Sequence, residues 1–279
     1  MLKLKKVSNH IVKPIKKSNC HSKENVKGSD VFELPFGNIY ICASTASGKT
    51  TCLFEIIKMI CNKHTNVLVF CSTIYNDPNW THIREYLEEK DMSHVFSDSI
   101  YDEEAGENQL TGLLKTLKEE AKKREEKKEK DELPVQKKLF LCDESESEDE
   151  DDHKRKPKKM AQKYLLIFDD LSEELRRDKT IQQLCKKSRH FDCRVILSSQ
   201  YLNDIDPATM RQMMYGILFS GHGEDKLRII HRNLDLSFCP FDIFERIYKA
   251  VTKEKYNFLF IDRPNKQLRK NFDMLIELP

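Results

Sequence analysis

No apolar run in this 279-residue chain approaches the length of a membrane span, and its charged N-terminus lacks the apolar core of a signal peptide. A helical membrane protein and a secreted product are therefore not what the sequence predicts. The nine cysteines contain no Cys-x-x-Cys pair. Cys42, Cys71 and Cys193 fall in or beside apolar runs, so reduced, buried thiols of an intracellular protein are expected rather than a disulfide framework or a zinc site. His190 and Cys193 stand three apart, but two lone ligands make no metal centre. There is no internal repeat. Hydrophobicity is also short for a compact enzyme: mean hydropathy is -0.64 and charged residues reach 34%. Part of the chain is therefore expected to stay unpacked. A net charge of +2 conceals strong segregation. Lys3, Lys5, Lys6, Lys13, Lys16, Lys17, Lys23 and Lys27 make a basic N-terminal arm, and a middle stretch is dense in both signs.

What the chain does have is an apolar strand running into a small-residue loop that ends in Gly-Lys-Thr. Residues Asn38–Cys42 read as the strand, Ala43–Thr50 as the loop, and Gly48 to about Asn62 as a helix with Leu53, Ile56, Ile57 and Ile60 at helical spacing. Such a loop wraps a polyphosphate, with backbone N–H groups inward and the positive helix end beneath. Ser44, Thr45, Ala46, Ser47, Gly48, Lys49, Thr50 and Thr51 are the expected nucleotide contacts. Lys49 would reach the β- and γ-phosphates, and the Thr50 hydroxyl would help hold Mg²⁺. Ala43 replaces the first glycine of G-x-x-x-x-G-K-[ST], which costs little if its φ is ordinary.

The rest of the pattern alternates. Val67–Cys71 reads as a buried strand, Asp77 to about Glu88 as a helix, Val95-Phe96 as a short strand, and about 103–130 as a helix striped by Leu110, Leu113, Leu114 and Leu117. Residues 118–160 are mostly Lys and Glu, then the acidic run 143–152, and read as a solvated, mostly disordered insertion whose first part could be a surface helix. Tyr164–Phe168, Arg194–Ser198, Gly216–Ser220 and Tyr256–Ile261 read as further strands. Helices are expected at about 179–190, 207–214, 224–232 and 240–250. This alternation predicts an α/β fold with a mostly parallel central sheet and helices on both faces. The domain expectation is a flexible arm over 1–30 and one P-loop domain over 31–279, interrupted at 118–160.

Hydrolysis needs a carboxylate for the metal and a group that orients water. Leu165–Phe168 delivers Asp169 and Asp170 at the carboxyl end of a strand, where ligands bind in such sheets. Asp169 would bind Mg²⁺ mostly through water, and Asp170 would polarise the nucleophile. A helix N-cap beginning at Asp170 is the plainer reading. Val195–Gln200 is an apolar strand with a polar end; in one large class of ATPases a strand inserted between the loop strand and the metal strand carries a polar residue that senses the γ-phosphate, and Gln200 is the candidate here, or a plain turn residue. Arg189 and Arg211 are candidates for an arginine supplied to a neighbouring subunit's site, or are plain surface charges.

The ordered series Ala43–Thr50, Leu165–Asp170, Ser188-Arg189-His190, Ile196–Gln200 and Asp206–Arg211 resembles the genome-packaging ATPases of poxviruses, virophages and Maverick/Polinton elements, in the FtsK–HerA superfamily. The match covers roughly 35–262. Ala43, the charged insertion and Asp170, where many ATPases carry Glu, depart from it. The resemblance implies a RecA-like P-loop NTPase fold, ATP with Mg²⁺, a homo-oligomeric ring of probably six subunits, and movement of double-stranded DNA into a preformed capsid. Capsid or portal proteins would be partners.

The basic arm suits phosphates or an acidic capsid surface, or is a solubility tail. Lys154–Lys159 resembles a nuclear localisation signal, beside Ser145 and Ser147 in acidophilic-kinase contexts. Both point to a eukaryotic host cell, in a viral factory or the nucleus, with association with the virion also compatible. Two alternatives stand beside the motor: a non-hydrolysing ATP-binding DNA scaffold, and a small nucleotide kinase or GTPase. Asn62-Lys63-His64-Thr65 lacks the aspartate of a guanine-reading motif, and no arginine-rich lid follows the sensing strand.

Overall fold

The computed structural model describes residues 26–102, 106–131, 161–201 and 204–278. The basic arm lies outside them up to residue 25. So do the later part of the insertion, 132–160, its acidic run and the cluster 154–159. From Val26, itself 2% exposed, the chain is packed.

Apolar residues alternate along the central strands, and the two sets of side chains make two separate cores. In β1 (Asn38–Cys42), Ile39 and Ile41 face one core and Tyr40 and Cys42 the other. In β6 (Tyr164–Asp169), Leu165 and Ile167 oppose Leu166 and Phe168 in the same way. A strand buried on both faces needs helices on both faces. One core is closed by α1 (Lys49–Ile60) through Leu53, Ile56, Ile57 and Ile60, and by α2 (Pro78–Glu89) through Trp80, Ile83 and Leu87. The other is closed by α3 (Gln109–Asp131) through Leu110, Leu114 and Leu117 and, later in the chain, by α5 (Lys179–Lys187) through Ile181 and Leu184. On that side also lie α7 (Glu224–Asn233) with Leu227 and Ile230, and α8 (Phe241–Val251) with Phe244 and Tyr248. The expected three-layer α/β architecture is what the chain forms.

With β2 (Asn66–Cys71), β3 (His94–Ser97), β7 (Cys193–Ser199), β8 (Met213–Leu218), β9 (Leu259–Asp262), β10 (Gln267–Lys270) and β11 (Met274–Ile276), the described sheet has nine strands in the order β11-β10-β9-β8-β1-β7-β6-β2-β3. The stretch β8-β1-β7-β6-β2-β3 is parallel throughout. β7 lies between β1 and β6, as expected of a sensing strand. A small hairpin of β4 (Tyr101–Asp102) and β5 (Glu107–Asn108) precedes α3, and α4 (Ser172–Arg177) follows β6.

Three expectations change. The helix expected over 207–214 starts under an Asp206 N-cap but stops early as α6 (Pro207–Met210), because Arg263 takes the Arg211 carbonyl, Asn38 takes the Gln212 carbonyl, and β8 begins at Met213 beside Asn38. The strand expected at Tyr256–Ile261 starts only at Leu259 and runs antiparallel to β8. Two helices, rather than one, connect β8 to β9, so the chain reverses once more and enters the sheet from the end where β8 leaves it. β10 and β11 continue this edge as an antiparallel meander that the sequence pattern does not predict. Beyond its leucine stripe, α3 is tethered by polar contacts: Glu120 accepts from Lys163 Nζ at 2.8 Å and from the Tyr164 hydroxyl at 2.9 Å.

Arg194, in the middle of the sheet, is 1% exposed. Its Nη2 donates to the carbonyls of Leu34 (2.6 Å) and Pro35 (2.9 Å), and the guanidinium stands 5.2 Å over the Phe32 ring. Burial pulls its pKa down to about 10, so it stays charged at neutral pH. Arg194→Ala strands both carbonyls and opens a cavity. It should cost about 2–4 kcal/mol of unfolding free energy, read from a denaturant midpoint; a change below about 0.5 kcal/mol would contradict this role.

Candidate functional site

The loop between β1 and α1 sits at the carboxyl ends of three adjacent strands. Register places Cys42 beside Ser199, Ser198 beside Asp169, and Asp169 beside Cys71. Ala43 is buried, and its N–H donates to the Ser199 carbonyl at 3.3 Å. It is absent from the positive-φ residues, so alanine is tolerated where glycine is usual. The left-handed positions of the loop are Ala46 (φ 60) and Gly48 (φ 96). Ser47 Oγ donates to the Ser44 carbonyl at 2.7 Å, closing the loop on itself.

Lys49 is the centre of the site. Its Nζ lies 2.9 Å from Asp169 Oδ1 and 2.5 Å from Asp170 Oδ2. The Lys49 and Asp169 side chains are 10% and 2% exposed, so water screens this pair poorly. Burial pulls the Lys49 pKa down, but the two carboxylates outweigh it and hold the ammonium above its ordinary value. Burial pushes the Asp169 carboxyl up, against the pull of Lys49. With the lysine that close, the charged pair is the state the geometry favours.

The second carboxylate is set by its backbone. Asp170 has φ 52, its N–H donates to the Ser198 carbonyl at 3.3 Å, and its carbonyl accepts from Ser72 Oγ at 2.9 Å. The following helix is capped by Leu171 without a side-chain bond, so Asp170 is not an N-cap. Its side chain faces Lys49 and Gln200 instead. Gln200 Nε2 donates to Asp170 Oδ1 at 3.5 Å, and Gln200 Oε1 accepts from Thr45 Oγ1 at 3.3 Å. That pairing fixes which end of the amide points at the carboxylate. Thr45, Lys49, Asp169, Asp170 and Gln200, singled out along 156 residues of sequence, thus form one connected network.

Several contributors leave no local sequence signal. Lys226, on α7, donates from Nζ to the Gln200 backbone carbonyl at 2.6 Å and holds the end of β7. Cys71 Sγ lies 3.7 Å from Asp169 Oδ2. His222 is 8% exposed, stacks on Tyr248 at 5.9 Å, and its Nε2 donates to the Cys42 carbonyl at 3.2 Å just below the loop.

Arg189 and Arg211 are not brought to this site. Both are exposed, and each precedes the amino end of a strand, β7 and β8 respectively. The seven-residue β7 puts Arg189 about 20 Å from Gln200, at the opposite edge of the sheet.

The donor set suits a magnesium–triphosphate. Thr50 and Asp169 offer hard oxygen ligands of the kind Mg²⁺ takes, and Lys49 supplies the cation a polyphosphate needs. The ion would neutralise charge between phosphate oxygens. Among the described residues no group of three or more His, Cys, Asp or Glu forms a further metal site, and no helix is long and apolar enough to cross a membrane.

Known proteins share this fold. Residues 143–262 match the Poxvirus A32 protein family. The genome packaging NTPase B204 of Sulfolobus turreted icosahedral virus 2 in complex with AMPPCP superposes with a TM-score of 0.53 at 16% identity, covering 88% of this chain and 100% of that one. Its complex with AMP gives 0.51 at 15%, covering 85% and 97%. B204, the DNA-packaging ATPase from Sulfolobus Turreted Icosahedral Virus, gives 0.50 at 14%, covering 85% and 98%. No curated protein matches the chain by sequence. The chain has the fold of these P-loop ATPases, and part of it is similar to the Poxvirus A32 protein family.

His222 makes stability depend on pH. Burial, with Lys226 adding to it, pulls its pKa from 6.5 to about 4. Below about pH 6.5 the unfolded chain takes the proton first, so stability is full above that pH and falls until about pH 4, by up to about 3 kcal/mol. Urea midpoints at pH 7 and 4.5 should show that loss in the parent and a smaller one in His222→Gln. Equal losses would remove His222 as the cause.

Proposed function

We propose that the chain is an ATP-hydrolysing motor that drives double-stranded DNA into a preformed viral capsid. The observation that carries this reading is the Lys49–Asp169–Asp170–Gln200 network at the carboxyl ends of β1, β6 and β7. A protein that only bound ATP would need the loop and a metal carboxylate. It would not need a second carboxylate held in a left-handed backbone and bonded to an amide on the neighbouring strand. In the proposed cycle, Lys49 would move to the phosphates, and Asp169 and Thr50 would hold Mg²⁺, which would supply charge neutralisation. Asp170 draws the proton from the attacking water while Gln200 keeps that carboxylate and the water in line.

The family match and the B204 fold support the packaging role. Arg189 and Arg211, exposed at the far edge of the sheet, suit service in a neighbour's site within a ring, which we take to be a hexamer. The basic arm is the proposed phosphate contact for DNA, gripping without reading sequence. Capsid or portal proteins are proposed as further partners, in the nucleus or a viral factory of an infected eukaryotic cell.

Steady-state ATP turnover, with and without double-stranded DNA, tests the reading. The parent should hydrolyse ATP faster with DNA. Asp170→Asn should still bind ATP but turn it over about 10²–10⁴-fold more slowly. Inactive Arg189→Ala or Arg211→Ala subunits, mixed with Asp170→Asn subunits, should recover activity if that arginine works in trans. Absence of turnover by the assembled parent, with DNA present, would favour the non-hydrolysing scaffold.

A further inference from the structure

Beside the phosphate loop, and unused by the network above, lies a cavity of about 680 Å³. One wall is the loop's last glycine and the first turns of α1: Gly48, Thr51, Cys52 and Glu55. The other is aromatic: Phe219, Tyr256, Phe258 and Phe272. The rings brace one another, with centroids 5.3 Å apart for Phe219–Phe258 and 4.9 Å for Phe258–Phe272.

Tyr256 is the unusual member. It is 60% exposed, and its φ is 70, a left-handed conformation that a bulky side chain rarely adopts. A Cβ placed on Gly48 would stand 3.2 Å from Tyr256 Cδ1, so the ring lies directly against the loop. The segment under it is clamped by Asn271, whose Oδ1 accepts from the Phe258 N–H and whose Nδ2 donates to Asn257 Oδ1, both at 3.1 Å. The tyrosine is thus held out of the core by hydrogen bonds rather than left loose.

We propose that this cavity takes the nucleobase of the triphosphate seated on Ala43–Thr50, by stacking on Tyr256. The proposal rests on the nucleotide-binding reading of that loop. A triphosphate whose β- and γ-phosphates meet Lys49 continues toward Thr51 and the first turn of α1, and the cavity opens there. The wall also says how the base is read. Asn271 has both amide groups engaged, while Glu55 and Asp273 offer only acceptors. The Thr51 and Tyr256 hydroxyls each rotate between donor and acceptor and so suit either purine edge, and ring area decides. ATP and GTP should bind within about tenfold of each other and both tighter than UTP, because stacking is sequence-tolerant and grows with the π-face.

Equilibrium titrations with Mg²⁺ and ATP, GTP, UTP or inorganic tripolyphosphate test this on the full chain. Tyr256→Gly, which suits the left-handed backbone, should weaken ATP about tenfold and leave tripolyphosphate within twofold. Tyr256→Phe should keep the parent affinity. Unchanged ATP affinity in Tyr256→Gly overturns the proposal while leaving the phosphate loop intact. So does a parallel loss of tripolyphosphate, which would make Tyr256 a support for the loop, and so does ATP preferred over GTP by a hundredfold or more. If the parent binds neither ATP nor tripolyphosphate, the proposal falls together with the reading beneath it.

Discussion

A lysine ammonium buried between two carboxylates is stable only while all three charges stay close, because few waters can replace a lost partner. Lys49, Asp169 and Asp170 make such a group, and the surrounding structure is organised to keep it together. β1 supplies the loop that aims Lys49. β6 ends on Asp169, and the left-handed turn after it swings Asp170 to the same point. The group carries one net negative charge. A metal-bound triphosphate would draw Lys49 away from the carboxylates and leave them for the cation and the water, so the contacts that hold the three charges together also place them for that exchange.

Sheet order makes this convergence possible. Because β7 lies between β1 and β6, Gln200 ends beside both the loop and Asp170, bonded to Thr45 on one side and to the carboxylate on the other. Lys226 reaches over from α7 to the Gln200 carbonyl, and His222 holds the base of the loop through Cys42. Under the proposed function, a shift of a γ-phosphate at Gln200 would reach elements on both flanks of β7 through these contacts.

Much of the site was legible in the sequence because its residues sit at ends of apolar runs. Ala43–Thr50, Asp169, Asp170 and Gln200 follow strands buried on both faces, and the parallel-sheet rule alone brings strand ends together. Ser72, Cys71, His222 and Lys226 were not legible. They reach the site through tertiary packing: Cys71 reads only as the end of a buried strand, and the others sit in stretches that read as ordinary helix or turn. Arg189 and Arg211 precede their strands in chain order, so the parallel sheet already implies that they lie at the amino ends, away from the loop. The edge meander was only partly legible: a strand near β9 was expected, but β10 and β11 are four and three residues long, and the direction of β9 depends on the extra helix before it. The leucine stripe of α3 was plain, but its tether through Glu120 to Lys163 and Tyr164 was not.

The central claim is that Lys49 exchanges its carboxylate partners for phosphate when nucleotide binds. A structure of the protein with Mg²⁺ and a non-hydrolysable ATP analogue measures this directly. The account predicts Lys49 Nζ on the β- and γ-phosphate oxygens, beyond bonding distance of Asp170, with Asp169 facing the metal and Gln200 still beside Asp170. Nucleotide bound while Lys49 remains bridged to both carboxylates would contradict it.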